Sequence, residues 1–212
     1  MDVIRLTLSP LATNCYIVKT DENSGVVIDP ADSADIILAA AEEKDIQLKK
    51  ILLTHGHFDH TGAAAAIKEK LNIPLYIHTD DECMLSDGEK ALAYFCPEKP
   101  FNKVEADLLV KDGDVVSQDG VKFRVLHTPG HSAGSVCYIV DIADGLNLMF
   151  AGDTIFKDSI GRSDGYSGDY IVQQKTLDKL KNMAEDYLIY PGHGPSTTLL
   201  EEKRFNPFIS DF

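Results

Sequence analysis

A stretch of six residues in the first third of the chain concentrates side chains that bind metal ions. Residues 55–60 read HGHFDH and directly follow an apolar run at residues 51–53. Neutral imidazole is the commonest metal ligand in proteins, and carboxylate is a natural further ligand for a divalent ion. A polar loop that happens to hold histidines is the simpler interpretation, but the whole chain has only seven histidines. The clustering therefore predicts a metal site.

This histidine-rich stretch is predicted to lie where a strand passes into a helix. Residues 50–53 before it form a short, largely apolar strand, and residues 61–71 after it are rich in Ala, Lys and Glu, which favour helix. Residues 59–61 are types that cap helix N-termini. Loops at strand ends are where a rigid scaffold displays reactive groups.

Strands and helices are expected in both halves of the chain. Apolar runs and alternating patterns predict strands at residues 3–8, 13–18, 26–28, 50–53, 75–77, 114–116, 122–126, 135–140, 146–150 and 187–190. Helices are expected over 33–44, 61–71 and 169–183, with a helical patch at 80–86. Residues 88–102, which include two prolines, are expected to be irregular and are a candidate wall of the site. Two mixed sheets packed face to face with helices outside would accommodate this pattern in one domain over 1–212.

Three later segments repeat the layout of a strand, a tight turn with glycine, and then a metal-binding side chain. They end at His131, Asp153 and His193. If these strand ends meet at one edge, the candidate ligands are His55, His57, Asp59, His60, His131, Asp153 and His193. Seven ligands exceed the needs of one tetrahedral ion, so the set predicts two ions with room left for water. A carboxylate can bridge two ions and an imidazole nitrogen cannot, which favours the isolated Asp153 as the bridge.

Composition narrows the choice of partners. The formal net charge of −14 disfavours nucleic-acid binding, because such a surface repels phosphate backbones. The chain lacks a run of ~18 apolar residues and a basic leader, so neither a membrane span nor a signal peptide is expected. The four cysteines are widely spaced, which disfavours a thiolate zinc site or a disulfide framework. Cys15 and Cys137 lie in apolar runs and are expected in the core. A cytoplasmic location is the expectation.

The four segments together resemble the metallo-β-lactamase superfamily over roughly residues 1–200. Residues 55–60 fit its H-x-H-x-D-H motif, residues 128–132 its later single-histidine motif, residues 152–154 its bridging aspartate, and residues 192–194 its last histidine. The resemblance implies an α/β (α+β) fold, a four-layer αββα sandwich of two mixed β-sheets with helices outside. It also implies two metal sites that share a bridging aspartate and a hydroxide. The first would comprise His55, His57 and His131, the second Asp59, His60 and His193, and the bridge would be Asp153.

Within this superfamily the chain looks most like the glyoxalase II-like hydrolases of the short, single-domain type. Residues 153–164 resemble their stretch after the bridging aspartate, and residues 206–208 resemble the end of the short members. Only 19 residues follow His193, so the C-terminal helical domain that helps bind glutathione in full-length glyoxalase II is expected to be missing. The chemistry does not depend on that domain, but the identity of the substrate does.

The metal set and its surroundings favour hydrolysis of a thioester or an ester over hydrolysis of an amide. Metal binding lowers the pKa of water to about 7, and Asp59 is expected to orient the resulting hydroxide and later accept its proton. A thiol with a pKa of about 8.5 can leave as thiolate, whereas an amine needs an acid that the sequence does not supply. S-D-lactoylglutathione represents this substrate class. Histidine and carboxylate ligands suit Zn²⁺ best here, with iron or manganese as alternatives.

Several other functions remain open on the same motifs. A persulfide dioxygenase would use one iron and leave part of the second site unused, whereas here all seven ligand residues are present. A lactonase, another ester hydrolase or a β-lactamase could use the same centre. A tRNA-processing nuclease is disfavoured by the acidic charge, and a non-catalytic metal-binding protein by the complete ligand set.

A few residues outside the ligand set are candidates for substrate contacts. Phe58 lies between ligands and is expected either to line the pocket or to pack in the core. Arg162 could bind an anionic group of the substrate, or pair with Asp164 two residues on. Lys203 and Arg204 could replace part of a glutathione site or form a solvated basic pair.

The two remaining histidines, His78 and His127, are expected to be structural. His78 follows a predicted strand, and no metal-binding motif surrounds it. His127 precedes His131 by four residues, but the proline and glycine between them prevent a helical pair of ligands.

Overall fold

The computed structural model describes residues 1–8, 10–143 and 145–210. Its first sheet has six strands in chain order, β1 (Val3–Leu8), β2 (Thr13–Asp21), β3 (Ser24–Ile28), β4 (Gln47–Leu52), β5 (Leu75–His78) and β6 (Leu108–Val110). β1, β2 and β3 pair antiparallel, and β3 to β6 pair parallel. The sheet is therefore mixed, as expected.

The second sheet also has six strands, β7 (Val115–Gln118), β8 (Val121–His127), β9 (Val136–Val140), β10 (Asn147–Gly152), β11 (Tyr187–Pro191) and β12 (Thr197–Thr198). β10 and β11 pair parallel, and the other neighbours pair antiparallel. The parallel pair places the ends of β10 and β11 at the same edge. That edge carries Asp153 and His193.

The helices are α1 (Ala34–Glu43), α2 (Phe58–Thr61), α3 (Ala64–Leu71), α4 (Tyr170–Lys181) and α5 (Leu199–Phe205). One apolar cluster fills the space between the sheets and includes Tyr16, Tyr138 and Phe150. A second cluster lies between the first sheet and α1 and α3, and a third lies between the second sheet and α4 and α5. The order of layers is helix, sheet, sheet, helix, which confirms the predicted αββα class. Cys15 and Cys137 are both buried, as predicted.

The helix predicted over 61–71 differs from the structure, because two helices, α2 and α3, occupy this region. The break falls at Gly62, where a Cβ atom would lie 2.3 Å from the carbonyl oxygen of Ala31. The next residue, Ala63, donates its N–H to the carbonyl of Pro30 at 2.9 Å. Contact with the chain after β3 thus interrupts the helix and leaves α2 as a separate turn that carries Asp59 and His60.

The regions between the main elements hold short 3₁₀ turns. The helical patch predicted at 80–86 is a 3₁₀ helix, Thr79–Leu85. The segment 88–102 has one 3₁₀ turn, Ala93–Phe95, and is otherwise irregular as expected. The carbonyl of Ala91 accepts the N–H of Phe58 at 2.9 Å, which holds this segment against the histidine-rich stretch. In the described part of the chain, no helix combines the length and apolar character that crossing a membrane requires.

Candidate metal centre

Three buried histidines converge at the ends of β4 and β8. Nδ1 of His57 lies 2.9 Å from Nε2 of His131, which lies 3.2 Å from Nε2 of His55. Three ring nitrogens at these distances cannot all be satisfied by hydrogen bonds to one another, since each hydrogen bond needs one donor and one acceptor. A cation between them would satisfy all three lone pairs.

A second group forms beside the first from α2 and the end of β11. Oδ2 of Asp59 lies 3.5 Å from Nε2 of His60 and 3.3 Å from Nε2 of His193. Two imidazoles and one carboxylate suit a divalent ion.

Asp153, which follows β10, lies between the two groups. Its Oδ1 is 3.3 Å from Nε2 of His60. Its Oδ2 is 3.6 Å from Nε2 of His131 and 3.5 Å from Nε2 of His193. One carboxylate therefore faces both groups, as a bridging ligand must.

Buried atoms without a hydrogen-bond partner test whether these residues fit metal ions. Four such side-chain atoms occur among the described residues, and three belong to this cluster, namely Nε2 of His57, Nε2 of His60 and Oδ1 of Asp153. An unsatisfied buried polar atom costs roughly 1–3 kcal/mol. Bound cations would offset that cost at His60 and Asp153. The residues fit a dinuclear centre, and the structure brings all seven predicted ligands together, although their ligation of metal stays a prediction.

Hydrogen bonds behind the cluster fix which nitrogen of each ring faces it. Nδ1 of His60 donates to Oδ2 of Asp29 at 3.0 Å, and Nδ1 of His131 donates to the carbonyl of Arg162 at 2.6 Å. Both rings therefore present an Nε2 lone pair to the cluster. Such supporting bonds orient metal ligands and raise their basicity.

The carboxylate of Asp59 is held from the opposite side by β2, because Oγ1 of Thr13 donates to its Oδ2 at 2.7 Å. Neither Asp29 nor Thr13 was predicted from the sequence as a site residue. Asp29 ends a predicted strand, which is the layout that marked the other site residues, but no histidine stands beside it. Thr13 carries no comparable signal.

Asp81 joins the turn of the histidine-rich stretch to the loop that carries His131. Its fully buried carboxylate accepts the N–H groups of Gly56 at 3.1 Å and Gly134 at 2.7 Å, and the hydroxyl of Ser132 at 2.7 Å. Burial raises the pKa of this carboxyl, and these hydrogen bonds oppose that rise. Asp81 therefore sets the distance between the two halves of the first group.

When no metal is bound, the pKa values of His55 and His57 in the first group differ from those of the histidines in the second. Burial and the neighbouring imidazoles lower the pKa of His55 well below its usual value. Burial, followed by the effect of His131, lowers the pKa of His57 to about 3. Both rings are therefore neutral at pH 7, which is the form that binds metal.

The second group behaves in the opposite way. Burial acts to lower the pKa of His193, but hydrogen bonds with Asp153 and Asp59 outweigh it and raise that pKa to about 9. Burial acts to raise the pKa of Asp59, yet His60, His193 and Thr13 together lower it to about 2. In the metal-free protein, protons on histidine thus balance the two carboxylates, and a metal ion must displace them.

Two glycines let the backbone approach the bridging aspartate. A Cβ atom at Gly192 would lie 2.2 Å from Oδ1 of Asp153 and 2.7 Å from Cε1 of His60. One at Gly161 would lie 1.9 Å from the carbonyl oxygen of Asp153. Neither position has space for a side chain.

A cavity of about 210 Å³ opens onto the cluster. It is lined by Leu11, His57, Phe58, Asp59, Leu92, Phe95, His131, Asp153, Phe156, Gly161, Arg162 and His193. Phe58 is buried and lines this cavity, so it serves both of its expected roles. Arg162 also lines it and makes two hydrogen bonds to Asp164, of 2.6 and 2.9 Å. Residues 88–102 contribute Leu92 and Phe95 to the wall.

The other residues considered from sequence lie in different surroundings. His78 and His127 stack on each other, with ring centroids 4.2 Å apart and an angle of 11° between the planes. Together with Asp80 they form a separate group at the ends of β5 and β8. Nε2 of His127 donates to the carbonyl of Ala133 at 2.8 Å. Lys203 donates to the carbonyl of Met183, beyond the end of α4.

The family model of the metallo-beta-lactamase superfamily matches residues 8–193. Hydroxyacylglutathione hydrolase GloC of Haemophilus influenzae is 32% identical over 99% of this chain and 99% of its own length. The probable metallo-hydrolase YqgX of Bacillus subtilis is 34% identical over 98% of this chain and 97% of its own.

Solved structures agree with the architecture. The B3 metallo-beta-lactamase BLEG-1 superposes with a TM-score of 0.91 at 32% identity, covering 99% of this chain and 100% of that one. TTHA1623, solved in a di-iron-bound form, gives a TM-score of 0.83 at 35% identity over 97% and 99%. ETHE1 from Myxococcus xanthus gives 0.78 at 27% identity over 98% and 84%. With the family model, the full-length relatives and the paired ligand groups in agreement, this chain belongs to the metallo-β-lactamase superfamily.

Proposed function

We propose that the protein is a dinuclear metallo-hydrolase that cleaves thioesters, with S-D-lactoylglutathione as the representative substrate. The observation that carries this proposal is the position of Asp153 between two separate ligand groups, within 3.6 Å of nitrogens in both. GloC, named as a hydroxyacylglutathione hydrolase, supports the choice of bond.

In this proposal His55, His57 and His131 hold one ion, Asp59, His60 and His193 hold the other, and Asp153 bridges them. When bound, two divalent ions act as Lewis acids and lower the pKa of water to about 7, so that hydroxide is available near neutral pH. Zn²⁺ is the first metal to test, and iron or manganese is compatible with the same donors.

Asp59 would orient the attacking water. Thr13 donates to Oδ2 of Asp59 and fixes the carboxylate plane, so its orientation does not depend on the substrate. In this proposal the ionised carboxylate of Asp59 orients the attacking water as a hydrogen-bond acceptor and later accepts a proton from it.

The cavity lining favours a leaving group that needs no protonation. Apart from five of the seven candidate ligands, the residues that line the cavity are apolar, glycine, or Arg162. None of these can protonate an amide nitrogen at pH 7. A thiol, with a pKa of about 8.5, can depart as thiolate. The chemistry of the cavity therefore favours a thioester over an amide.

The direct test is turnover by protein loaded with metal. Protein reconstituted with two equivalents of Zn²⁺, Fe²⁺ or Mn²⁺ should release thiol from S-D-lactoylglutathione, and metal-free protein should not. Turnover of amides but not thioesters at full metal occupancy would overturn the proposal.

A mono-iron persulfide dioxygenase is the second candidate, because histidine and carboxylate donors are also compatible with iron. Oxygen consumption with glutathione persulfide by the iron-loaded protein, without thioester turnover, would replace the proposed function with this one. A lactonase or other ester hydrolase would be recognised by turnover of oxygen esters alone.

A further inference from the structure

Five apolar side chains line the cavity, and we refer to them together as the apolar collar. We define the collar as Leu11, Phe58, Leu92, Phe95 and Phe156, all of which line the cavity. Phe58 and Leu92 are buried, whereas Leu11 and Phe95 are 46% and 49% exposed. Exposed apolar surface that rims a pocket commonly marks a binding site. The collar would be covered if an apolar part of a substrate lay across it.

The cationic residue in the lining is already paired with a carboxylate. Arg162 is the one lysine or arginine among the lining residues. Its Nε and Nη2 both donate to the carboxylate of Asp164, and its Cζ lies 5.3 Å from the ring centroid of Phe95. A two-bond pair of this kind uses one edge of the guanidinium and places a negative charge beside it. Arg162 therefore extends the flat wall made by Phe95.

Two lysines of the segment 88–102, which contributes to the cavity wall, are also paired. Lys99 pairs with Asp32. Lys90 lies 5.5 Å above the ring of Tyr166 and 3.8 Å from Asp87. The formal net charge of the whole chain is −14. Such an acidic protein does not favour a thiol that carries two carboxylates, as glutathione does.

The volume of the cavity also argues against a large polar thiol. Its volume of about 210 Å³ is below the range of roughly 300–1,000 Å³ that holds drug-sized ligands. A tripeptide thiol such as glutathione would leave most of its polar body outside, where it would meet the apolar collar rather than cations.

We infer that the collar and the paired Arg162 select thioesters whose thiol is compact, apolar and uncharged, in preference to glutathione thioesters. This inference rests on the proposed thioester hydrolysis. In that reaction the water oxygen forms a bond to the acyl carbon, and the carbon–sulfur bond breaks with its electron pair on sulfur. Of the two water protons, one goes to the departing thiolate and one to solvent. The products are a carboxylate and a small apolar thiol.

The test compares two substrates that share one acyl group, the D-lactoyl thioesters of benzyl mercaptan and of glutathione. Each kcat/KM is divided by the substrate's own rate of hydroxide hydrolysis, to remove differences in the leaving group. Burying the apolar ring of the benzyl group against the collar contributes enough binding free energy to predict about a tenfold preference for the benzyl thioester. An equal or greater value for the glutathione thioester would overturn the inference but leave the proposed function intact. If neither thioester is hydrolysed by metal-loaded protein, both fail.

Two variants and one control test whether the collar and the paired Arg162 cause the preference. Phe95→Ala should raise KM for the benzyl thioester about tenfold and change the glutathione thioester little. Phe205→Ala, which removes an exposed aromatic ring on α5 outside the cavity, is the matched control and should leave both values unchanged. Asp164→Asn should free Arg162 and shift the ratio of kcat/KM values towards glutathione. An unchanged ratio in both Phe95→Ala and Asp164→Asn would contradict the assigned roles.

Discussion

Asp29 accepts a hydrogen bond from His60 at 3.0 Å, although 31 residues separate them in the chain. The same carboxylate accepts the N–H of Thr54 at 2.7 Å and its hydroxyl at 2.6 Å. The Thr54 oxygen in turn lies 3.1 Å from Nδ1 of His55. One buried carboxylate at the end of β3 thus orients a ring in each of the two ligand groups.

Asp29→Ala should weaken metal binding without removing any ligand. Loss of a supporting hydrogen bond of this kind reduces metal affinity about 10–100-fold. The N–H of Thr54 would also lose its partner, which should destabilise the fold by roughly 1–3 kcal/mol. Metal titration and urea denaturation measure the two effects. Glu69→Ala, at an exposed position on α3, is the control and should alter neither. Unchanged metal affinity in Asp29→Ala would show that the hydrogen bond does not support the centre.

Gly192→Ala should displace the bridging carboxylate. The added Cβ would lie 2.2 Å from Oδ1 of Asp153, so the carboxylate must move and the two groups lose their shared ligand. We expect less than two ions per chain and a matching loss of turnover. Gly113→Ala is the control, since Gly113 has a φ of +83° but open space around its Cα. That variant should show a small loss of stability, about 1–2 kcal/mol from the left-handed conformation, with full metal content.

The metal-free protein should lose stability in acid. The pKa of His57 is about 3 in the folded protein, against 6.5 for an ordinary histidine. The unfolded chain therefore binds more protons between these values, and stability falls as the pH drops from 6.5 towards 3. His193 has the opposite sign, because its raised pKa stabilises the fold below pH 6.5 and that contribution is lost as the pH rises through about 9.

Urea denaturation of the metal-free protein across pH 4–10 measures both effects. His57→Gln should flatten the acid side of the profile, and His193→Gln should flatten the alkaline side. His57→Gln should leave the alkaline side unchanged, whereas His193→Gln should alter the acid side as well, because His193 also lowers the pKa of Asp59. A profile that stays flat in the parent protein below pH 6.5 would contradict the buried, neutral state of His57.

The sequence was informative about the site because each ligand follows an apolar strand. Parallel pairing of β10 with β11 brings Asp153 and His193 to the same edge, so proximity in space follows from position in the strand. Most strands were predicted to within a few residues for the same reason, since buried strands form continuous apolar runs.

What the sequence did not reveal depends on contacts between distant segments. Asp29 and Thr13 act through hydrogen bonds to residues that are distant in the chain. The two-residue strand β12 and the edge strand β6 have too few residues for a periodic signal, and helix α5 was also not predicted. The break between α2 and α3 results from the contact of Gly62 with Ala31, which becomes evident only in three dimensions.

The most direct test of the central claim is the metal content of the parent protein and of Asp153→Ala, measured by elemental analysis beside thioester turnover. A single centre bridged by Asp153 predicts two ions per chain in the parent protein. It predicts that Asp153→Ala loses metal and activity together, while circular dichroism shows an intact fold. Two ions retained in Asp153→Ala, or a single ion in the fully active parent protein, would contradict it.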